Sequence, residues 1–398
     1  MRRELTDLPR PVDVHVFEQT SGTAMNGGGL TLAPNGMRVL SRLGLEEQLA
    51  GQAGEELAEF AFCRPDGSPI VSFNTRARER YGHPAVGFRR FRLRQALLAA
   101  AQAGGGVTVH TGQRLASLDC GSLGGADGPP RPAVLSFEGG GSFSADLVVG
   151  CDGLRSVVRT AVRGADEPPP RYTGFEEVVA ITRDRCADLV PPGRVNILVG
   201  PGERQFGCYG VGPDCMWFAS QRRPASPDSW GTLQTEEERE AARREVLTEF
   251  KGWSLVERLV QREVSVMIRV GIFDREPVEA WSRGCVVLAG DAASPIPPNL
   301  GQGGNKALED AGVLVGALKR CNGDLPQALA LYQRLRIPRA ADILNNTRAG
   351  GTISNLENPV AVWARDMVLK LFVTLNGGLP LGWLWSYDTE RAVREARM

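Results

Sequence analysis

The chain of 398 residues has only three histidines, His15, His83 and His110, too few and too scattered to build a histidine-based metal centre. Its 46 Lys and Arg balance its 46 Asp and Glu, so it lacks the basic excess of a nucleic-acid binder. No C-x-x-C joins any of its eight cysteines and no secretory leader precedes them. They are expected to be buried, reduced thiols of a cytoplasmic protein. The opening Met1-Arg2-Arg3-Glu4-Leu5 has no apolar signal core. The one long apolar run, Val368 to Tyr387, is broken by Lys370, Gly377, Gly378 and Pro380 and fails as a transmembrane span. It is expected to pack on the body of the protein, with peripheral contact at a membrane surface as the alternative. There is no G-x-S-x-G, no H-E-x-x-H and no suggestively spaced carboxylate pair, so neither a hydrolytic nucleophile nor a zinc protease site is written here. What the chain does have is 48 glycines, gathered in clusters.

The order of elements reads as α/β. Residues 11–18 alternate with period two and end on Glu18, as in a strand. Met1 to Leu8 is helix-forming over about two turns. Gly27-Gly28-Gly29 leads to a short strand at Leu30-Thr31-Leu32. Pro34 then opens a helix that stops at Gly44. A helix from Arg90 to Gln102 precedes a strand at 107–110, a second at 115–118 and a hairpin over 133–145. Residues 146–150 form an apolar run without alternation, as in a buried parallel strand. Residues 121–132 read as a surface insertion. From about Arg171, strand-like runs at 177–182, 194–199, 204–211, 215–220 and 264–272 indicate an antiparallel sheet. One helix interrupts them, opened by the capping box Thr235…Glu238. A second buried strand at 285–289 leads through a Gly/Pro-rich loop to a helix starting near Gly303, and the remainder is mainly helical.

The strongest motif is the block from Gly290 to Ala311. A buried strand delivers Asp291 at its carboxyl end, where open α/β sheets bind ligands. Gly301-Gln302-Gly303-Gly304 then frees backbone N–H groups at a helix N-terminus, which carries roughly half a positive charge and favours an anionic group. A lone Gly-Asp would be a turn and no more; a block of this length carries more weight.

This block resembles the flavin-binding segment of the FAD-dependent aromatic hydroxylases and epoxidases, the class A flavoprotein monooxygenases that include salicylate hydroxylase and zeaxanthin epoxidase. Three further stretches match in order: Gly27 to Asn35, Arg90-x-x-Leu93-x-x-x-Leu97, and Asp146 to Ser156. The stretch Phe273 to Trp281 also fits. The resemblance implies a Rossmann-type FAD-binding domain over 1–168 and 276–345, an antiparallel-sheet substrate domain over 169–275, and a helical C-terminal tail over 346–398. It implies that Glu18 takes the adenosine ribose, that Arg90 reaches the ribityl–phosphate region, that Thr31 sits beside the FAD and that Leu115 presents backbone to the adenine. It places Asp152 near the pyrophosphate and Asp291 on the ribityl hydroxyls. The amides of Gly301, Gln302, Gly303 and Gly304 fall at the pyrimidine side of the flavin. The implied chemistry uses NADH or NADPH and O₂ to put one oxygen atom on an aromatic, polycyclic or isoprenoid small molecule, with FAD doing the work. The aromatics Phe206, Tyr209, Trp217 and Phe218 of the sheet are expected to be core.

Two departures stand out. Ser294 occupies a position where the family commonly has His. The chain also contains no G-x-G-x-x-G, the turn that meets the pyrophosphate. The ribose-binding carboxylate follows that turn by about 20 residues, and counting back from Glu18 passes Met1. The expectation is an N-terminally shortened member, without first strand and phosphate loop, in which residues 1–5 are the tail of the first helix. Two other readings stay open: a non-catalytic remnant that binds FAD weakly, and a flavin oxidoreductase of the same fold that does not oxygenate.

Overall fold

In the computed structural model, Val14–Glu18 pairs in parallel with Val107–Thr111, placing Glu18 opposite Thr111. The structure describes residues 8–397 except residue 10 and the stretches 22–26, 51–53, 104, 125–128, 201–202 and 355–357. The helix expected over Met1 to Leu8 therefore lies outside the described residues except for Leu8, and the centre of the 121–132 insertion lies outside them too. A second parallel pair joins Val148–Gly150 to Val286–Leu288. Val286, Val287 and Leu288 are wholly buried, which is why this run is apolar without alternation. The two parallel pairs belong to separate sheets. A third sheet sets Gly29–Leu32 against Val86–Arg89, with Gly54–Glu56 on its far side. Around these lie the helices Pro34–Arg42, Arg90–Ala103, Val157–Arg163 and Gly303–Arg320. Pro34 sits in the first turn of its helix, where its missing N–H costs nothing. Gly44 follows that helix at φ +72°.

The second layer is an eight-stranded sheet. Its order is Gly231–Thr232, Val264–Asp274, Arg171–Thr182, Cys215–Arg222, Arg204–Gly210, Arg194–Val199, Glu59–Cys63 and Pro69–Asn74. The antiparallel pairing read from the sequence holds among the strands after residue 171. The strand Arg194–Val199, however, runs parallel to Glu59–Cys63, a strand supplied from far upstream. Alternation divides the sheet cleanly. Val178, Ala180, Phe206, Trp217, Ala219 and Met267 pack under the helices Glu236–Glu249 and Ser254–Val260. Thr235 caps the first of these through the Glu238 amide, and Glu238 returns a bond to the Thr235 amide, completing the capping box. Val179, Ile181, Tyr209, Met216, Phe218, Val266 and Ile268 form the opposite face, which meets the N-terminal layer. Of the four aromatics, Phe206 and Trp217 are core beneath the helices, whereas Tyr209 and Phe218 look the other way.

The C-terminal region is helical: Leu325–Ser354, Pro359–Asn376, Gly382–Trp385 and Thr389–Glu395. The helix Pro359–Asn376 packs beside the edge strand Pro69–Asn74 and is turned inside out. Arg365 and Asp366 are buried as an ion pair of 2.8 Å. Val360, Trp363, Met367, Val368, Leu371, Phe372 and Leu375 face outward, exposed. Among the described residues no helix is long and apolar enough to cross a membrane. All eight cysteines are free thiols, seven of them buried.

Candidate functional site

The site is built around the start of the helix Gly303–Arg320. The strand Val286–Leu288 ends in a tight turn at Gly290, φ +62°, and a single 3-10 turn carries Asp291 to the surface. The chain continues through Pro295, Pro297 and Pro298, reverses at Gly301 with φ +61°, and enters the helix through Gln302. No side chain caps this 18-residue helix, and a Cβ added at Gly301 or Gly303 would meet nothing within 4 Å. The first amides of the helix are therefore left without a side-chain partner, near an exposed carboxylate and with the positive end of the helix dipole behind them.

Asn305 holds this terminus against the neighbouring sheet. Its Oδ1 accepts from the Ala33 amide at 2.8 Å, and its Nδ2 donates to the Thr31 carbonyl at 3.1 Å and the Gly301 carbonyl at 2.9 Å. Behind it lies a buried charged cluster. The Gly290 amide donates to Asp310 Oδ2 at 2.9 Å, and Lys306 Nζ donates to the Gly290 carbonyl at 3.0 Å. Arg336 reaches Asp310 at 2.7 Å and Glu309 at 2.8 Å, while Arg339 reaches Glu309 at 3.0 Å. Asn35 donates to Glu309 at 2.6 Å. Such a cluster survives burial only because almost every charge finds an opposite charge or a hydrogen bond. Its effect is to fix the Gly290 turn, and with it the direction of Asp291.

The structure brings one set of the expected residues together. Thr31 lies on the strand fastened by Asn305. Gly304 approaches Leu30 and Leu32, and Gly290 approaches Ala307 on the first turns of the helix. The Arg90 amide donates to the Gly28 carbonyl at 3.1 Å, and its exposed side chain passes over Gly27. Thr31, Arg90, Asp291 and Gly301, Gln302, Gly303 and Gly304 thus border one region. The Gln302 side chain turns inward, accepting from Asn35 at 3.0 Å and donating to Leu300, so only its backbone is on offer. Glu18 and Leu115 border another region, where the Gln113 amide donates to the Glu18 carbonyl at 2.9 Å. Partial burial would raise the Glu18 carboxyl, but the Thr20 amide and hydroxyl and the nearby Arg94 charge hold it below its ordinary value. Asp152 lies just past Val148–Gly150, and its carboxylate accepts from the Ser156 hydroxyl and the Val158 amide, at the start of the helix Val157–Arg163. Glu18, Asp152 and Asp291 all stand at or just beyond the carboxyl ends of parallel strands.

Three features were not visible in the sequence: the Asn305 clasp, the cluster beneath it, and the polar groups on the apolar face of the large sheet. On that face the Tyr209 phenol hydrogen-bonds Thr31, and burial pushes its pKa up to about 12. Glu177 lies nearby, buried, with the Ser220 hydroxyl as partner. For FAD, the open amides, Asp291 and Arg90 fit the flavin and ribityl portion. No described residue supplies a G-x-G-x-x-G turn for the pyrophosphate, and the parallel pairs that lead to Glu18 and to Asp152 and Asp291 stand in separate sheets.

A family profile described as an FAD binding domain matches residues 8–347. The aurachin C monooxygenase/isomerase of Stigmatella aurantiaca is 33% identical over 366 residues, 89% of this chain and 87% of that protein. The 3-amino-4-hydroxybenzoate 2-monooxygenase of Streptomyces cremeus is 34% identical over 359 residues, 85% of this chain and 81% of that protein. Among solved structures, HpxO of Klebsiella pneumoniae complexed with FAD and uric acid superposes with a TM-score of 0.76 at 24% identity, covering 91% of this chain and 88% of that one. A salicylate hydroxylase substrate complex superposes with a TM-score of 0.72 at 19% identity, covering 96% and 97%. These two share the fold.

Proposed function

This chain belongs to the FAD-dependent aromatic hydroxylase family of flavoprotein monooxygenases, and from that we propose that it uses NADH or NADPH and O₂ to hydroxylate or epoxidise an aromatic or isoprenoid small molecule. The observation that carries this reading is the uncapped N-terminus of Gly303–Arg320, clasped by Asn305 to the Thr31 strand, with Gly28 and Gly29 at the start of that strand lying against Val179 and Met216 of the large sheet.

FAD, when bound, supplies the oxygen chemistry; the chain positions it and keeps water away. Asp291, held outward by the turn at Gly290, would accept hydrogen bonds from the ribityl hydroxyls. Arg90 would neutralise negative charge at the phosphate end of the ribityl chain. The amides of Gln302, Gly303 and Gly304, backed by the helix dipole, would stabilise negative charge on the pyrimidine side of the ring, an arrangement that needs no reorganisation during reaction; the Gly301 amide, expected to join them, instead donates to the Pro298 carbonyl at 2.7 Å. Val179, Phe218, Ile268 and Ile296 supply the apolar wall against which a ring can lie. No side chain is needed as nucleophile, in keeping with the absence of such a motif.

The test is the visible spectrum of the purified chain with added FAD, followed by NAD(P)H-dependent O₂ consumption in the presence of aromatic compounds. A yellow protein whose O₂ uptake is stimulated by a ring compound supports the reading. A protein that cannot be loaded with FAD contradicts it. NAD(P)H oxidation without oxygen entering any organic product would indicate a non-oxygenating oxidoreductase.

A further inference from the structure

Two adjacent glutamates on the strand Arg171–Thr182 have opposite environments. Glu176 points toward the helix-covered side, where Arg269 reaches it at 2.8 Å and the Trp230 indole N–H donates at 2.9 Å. It is fully explained as structure. Glu177 points to the other face, in register with Ser220 on one neighbouring strand and Val270 on the other. Side chains directly opposite on paired strands share a face, so Glu177 continues the rows Ile181–Met216–Val266 and Val179–Phe218–Ile268. These rows meet the flavin-side loop. A Cβ at Gly28 would lie 2.8 Å from Val179, and one at Gly29 would lie 2.5 Å from the Met216 sulfur. Glu177 is thus one strand repeat beyond the point where the loop touches the sheet.

Glu177 is 7% exposed and Ser220 8%. Among the described residues no cation pairs with Glu177, and the Ser220 hydroxyl is its one side-chain hydrogen-bond partner. The strands packed against it present Ser220, Val270 and, beyond Ser220, Gln205 in the same row; none is charged. A carboxyl removed from water with one neutral partner is unfavourable for folding and retains unused acceptor capacity. Groups of this kind concentrate where a ligand completes them.

We infer that Glu177, steadied by Ser220, is the polar reader of the substrate pocket, accepting a hydrogen bond from an O–H or ring N–H of an aromatic substrate that carries no carboxylate at that end. The inference rests on the monooxygenase reading and adds the substrate class: a neutral hydroxylated or N–H heteroaromatic ring. A benzoate carboxylate placed there would face a second carboxylate with no cation between them, an arrangement that costs binding strongly in a desolvated pocket. Burial pushes the Glu177 carboxyl up to about 7, opposed by the Ser220 hydroxyl, so the group is partly ionised at neutral pH.

The test uses a pair of probes of one shape and different charge, 3-hydroxybenzamide and 3-hydroxybenzoate, titrated calorimetrically into the FAD-loaded protein and into E177Q at pH 8. The wild type should bind the amide about tenfold or more tightly than the benzoate. In E177Q that ratio should collapse to within about threefold, chiefly because the benzoate gains. A thermal melt of E177Q confirms that it folds, and Ser220→Ala should narrow the ratio without abolishing it. Equal affinities in the wild type, or an E177Q variant that weakens both probes alike, would show Glu177 to be structural and overturn the inference. Binding of neither probe overturns it as well. The monooxygenase reading is judged separately by oxygen uptake with other rings, so failure of the inference is distinguishable from failure of that reading.

Discussion

The Ala33 amide donates to the Asn305 carboxamide oxygen at 2.8 Å, while the same carboxamide donates to the Thr31 and Gly301 carbonyls on either side of the turn. One buried side chain thereby holds a strand, a glycine turn and a helix start in register. Gly36 shows how closely it fits: a Cβ there would lie 2.3 Å from Asn305 Oδ1. Asn305→Ala leaves a buried N–H and two carbonyls without their side-chain partner. It should destabilise the chain by about 2–4 kcal/mol in urea unfolding and weaken FAD binding further than stability alone accounts for.

The cluster under the turn makes a second prediction. Asp310 receives the Gly290 amide, Lys306 and Arg336, and all three side chains are inaccessible to solvent. Asp310→Ala leaves Lys306 without an acid partner and Arg336 with Glu309 alone, and breaking a buried pair in this way costs about 3–5 kcal/mol. Because the cluster aims Asp291 through Gly290, any folded fraction should also bind FAD more weakly, measurable by flavin fluorescence.

Glu177 gives a pH dependence whose sign follows from its raised pKa. Its folded value of about 7 lies above the ordinary 4.5, so the neutral form is the one the fold favours. That contribution is complete below about pH 4.5 and is lost as pH rises through about 7. Relative to E177Q, the wild type should therefore lose stability between pH 5 and pH 8, by on the order of 2–3 kcal/mol at most. Parallel stability curves for the two proteins over that range would contradict this.

On the helix Pro359–Asn376, Leu371 is 60% exposed and Leu375 75%. The double change Leu371→Ser, Leu375→Ser removes little buried surface and should shift stability by less than about 1 kcal/mol, while reducing aggregation of the purified protein. The buried Asp366 on the same helix behaves oppositely. Asp366→Ala leaves Arg365 without its adjacent acid and should be clearly destabilising by thermal melt.

The contrast between these positions also explains what the sequence could show. The capping box at Thr235 and the glycine block from Gly290 were legible because their chemistry is local: a side chain meets a backbone group a few residues away. The strand Glu59–Cys63 was not, because its five residues gain meaning only from Arg194–Val199, more than a hundred residues later. Lys306, Glu309 and Asp310 look like the solvated face of a helix, and only Arg336 and Arg339 from the next helix turn them into core. Glu176 and Glu177 are identical letters side by side; alternation sends one to Arg269 and the other to an apolar face. The C-terminal remainder was expected to be mainly helical and is, but Val368, Leu371, Phe372 and Leu375 of the apolar run expected to pack on the body face outward, against the usual rule.

Organised around the Asn305-clasped helix start, this chain should place one atom of O₂ on a ring compound. The direct measurement is mass spectrometry of product formed under ¹⁸O₂ by the FAD-loaded protein with NAD(P)H and a neutral hydroxylated heteroaromatic such as 4-hydroxyquinoline. The expected product is heavier than the substrate by one ¹⁸O atom, and no product forms when FAD is omitted. NAD(P)H consumed with all of the label in hydrogen peroxide or water, across a panel of hydroxylated rings, would contradict it.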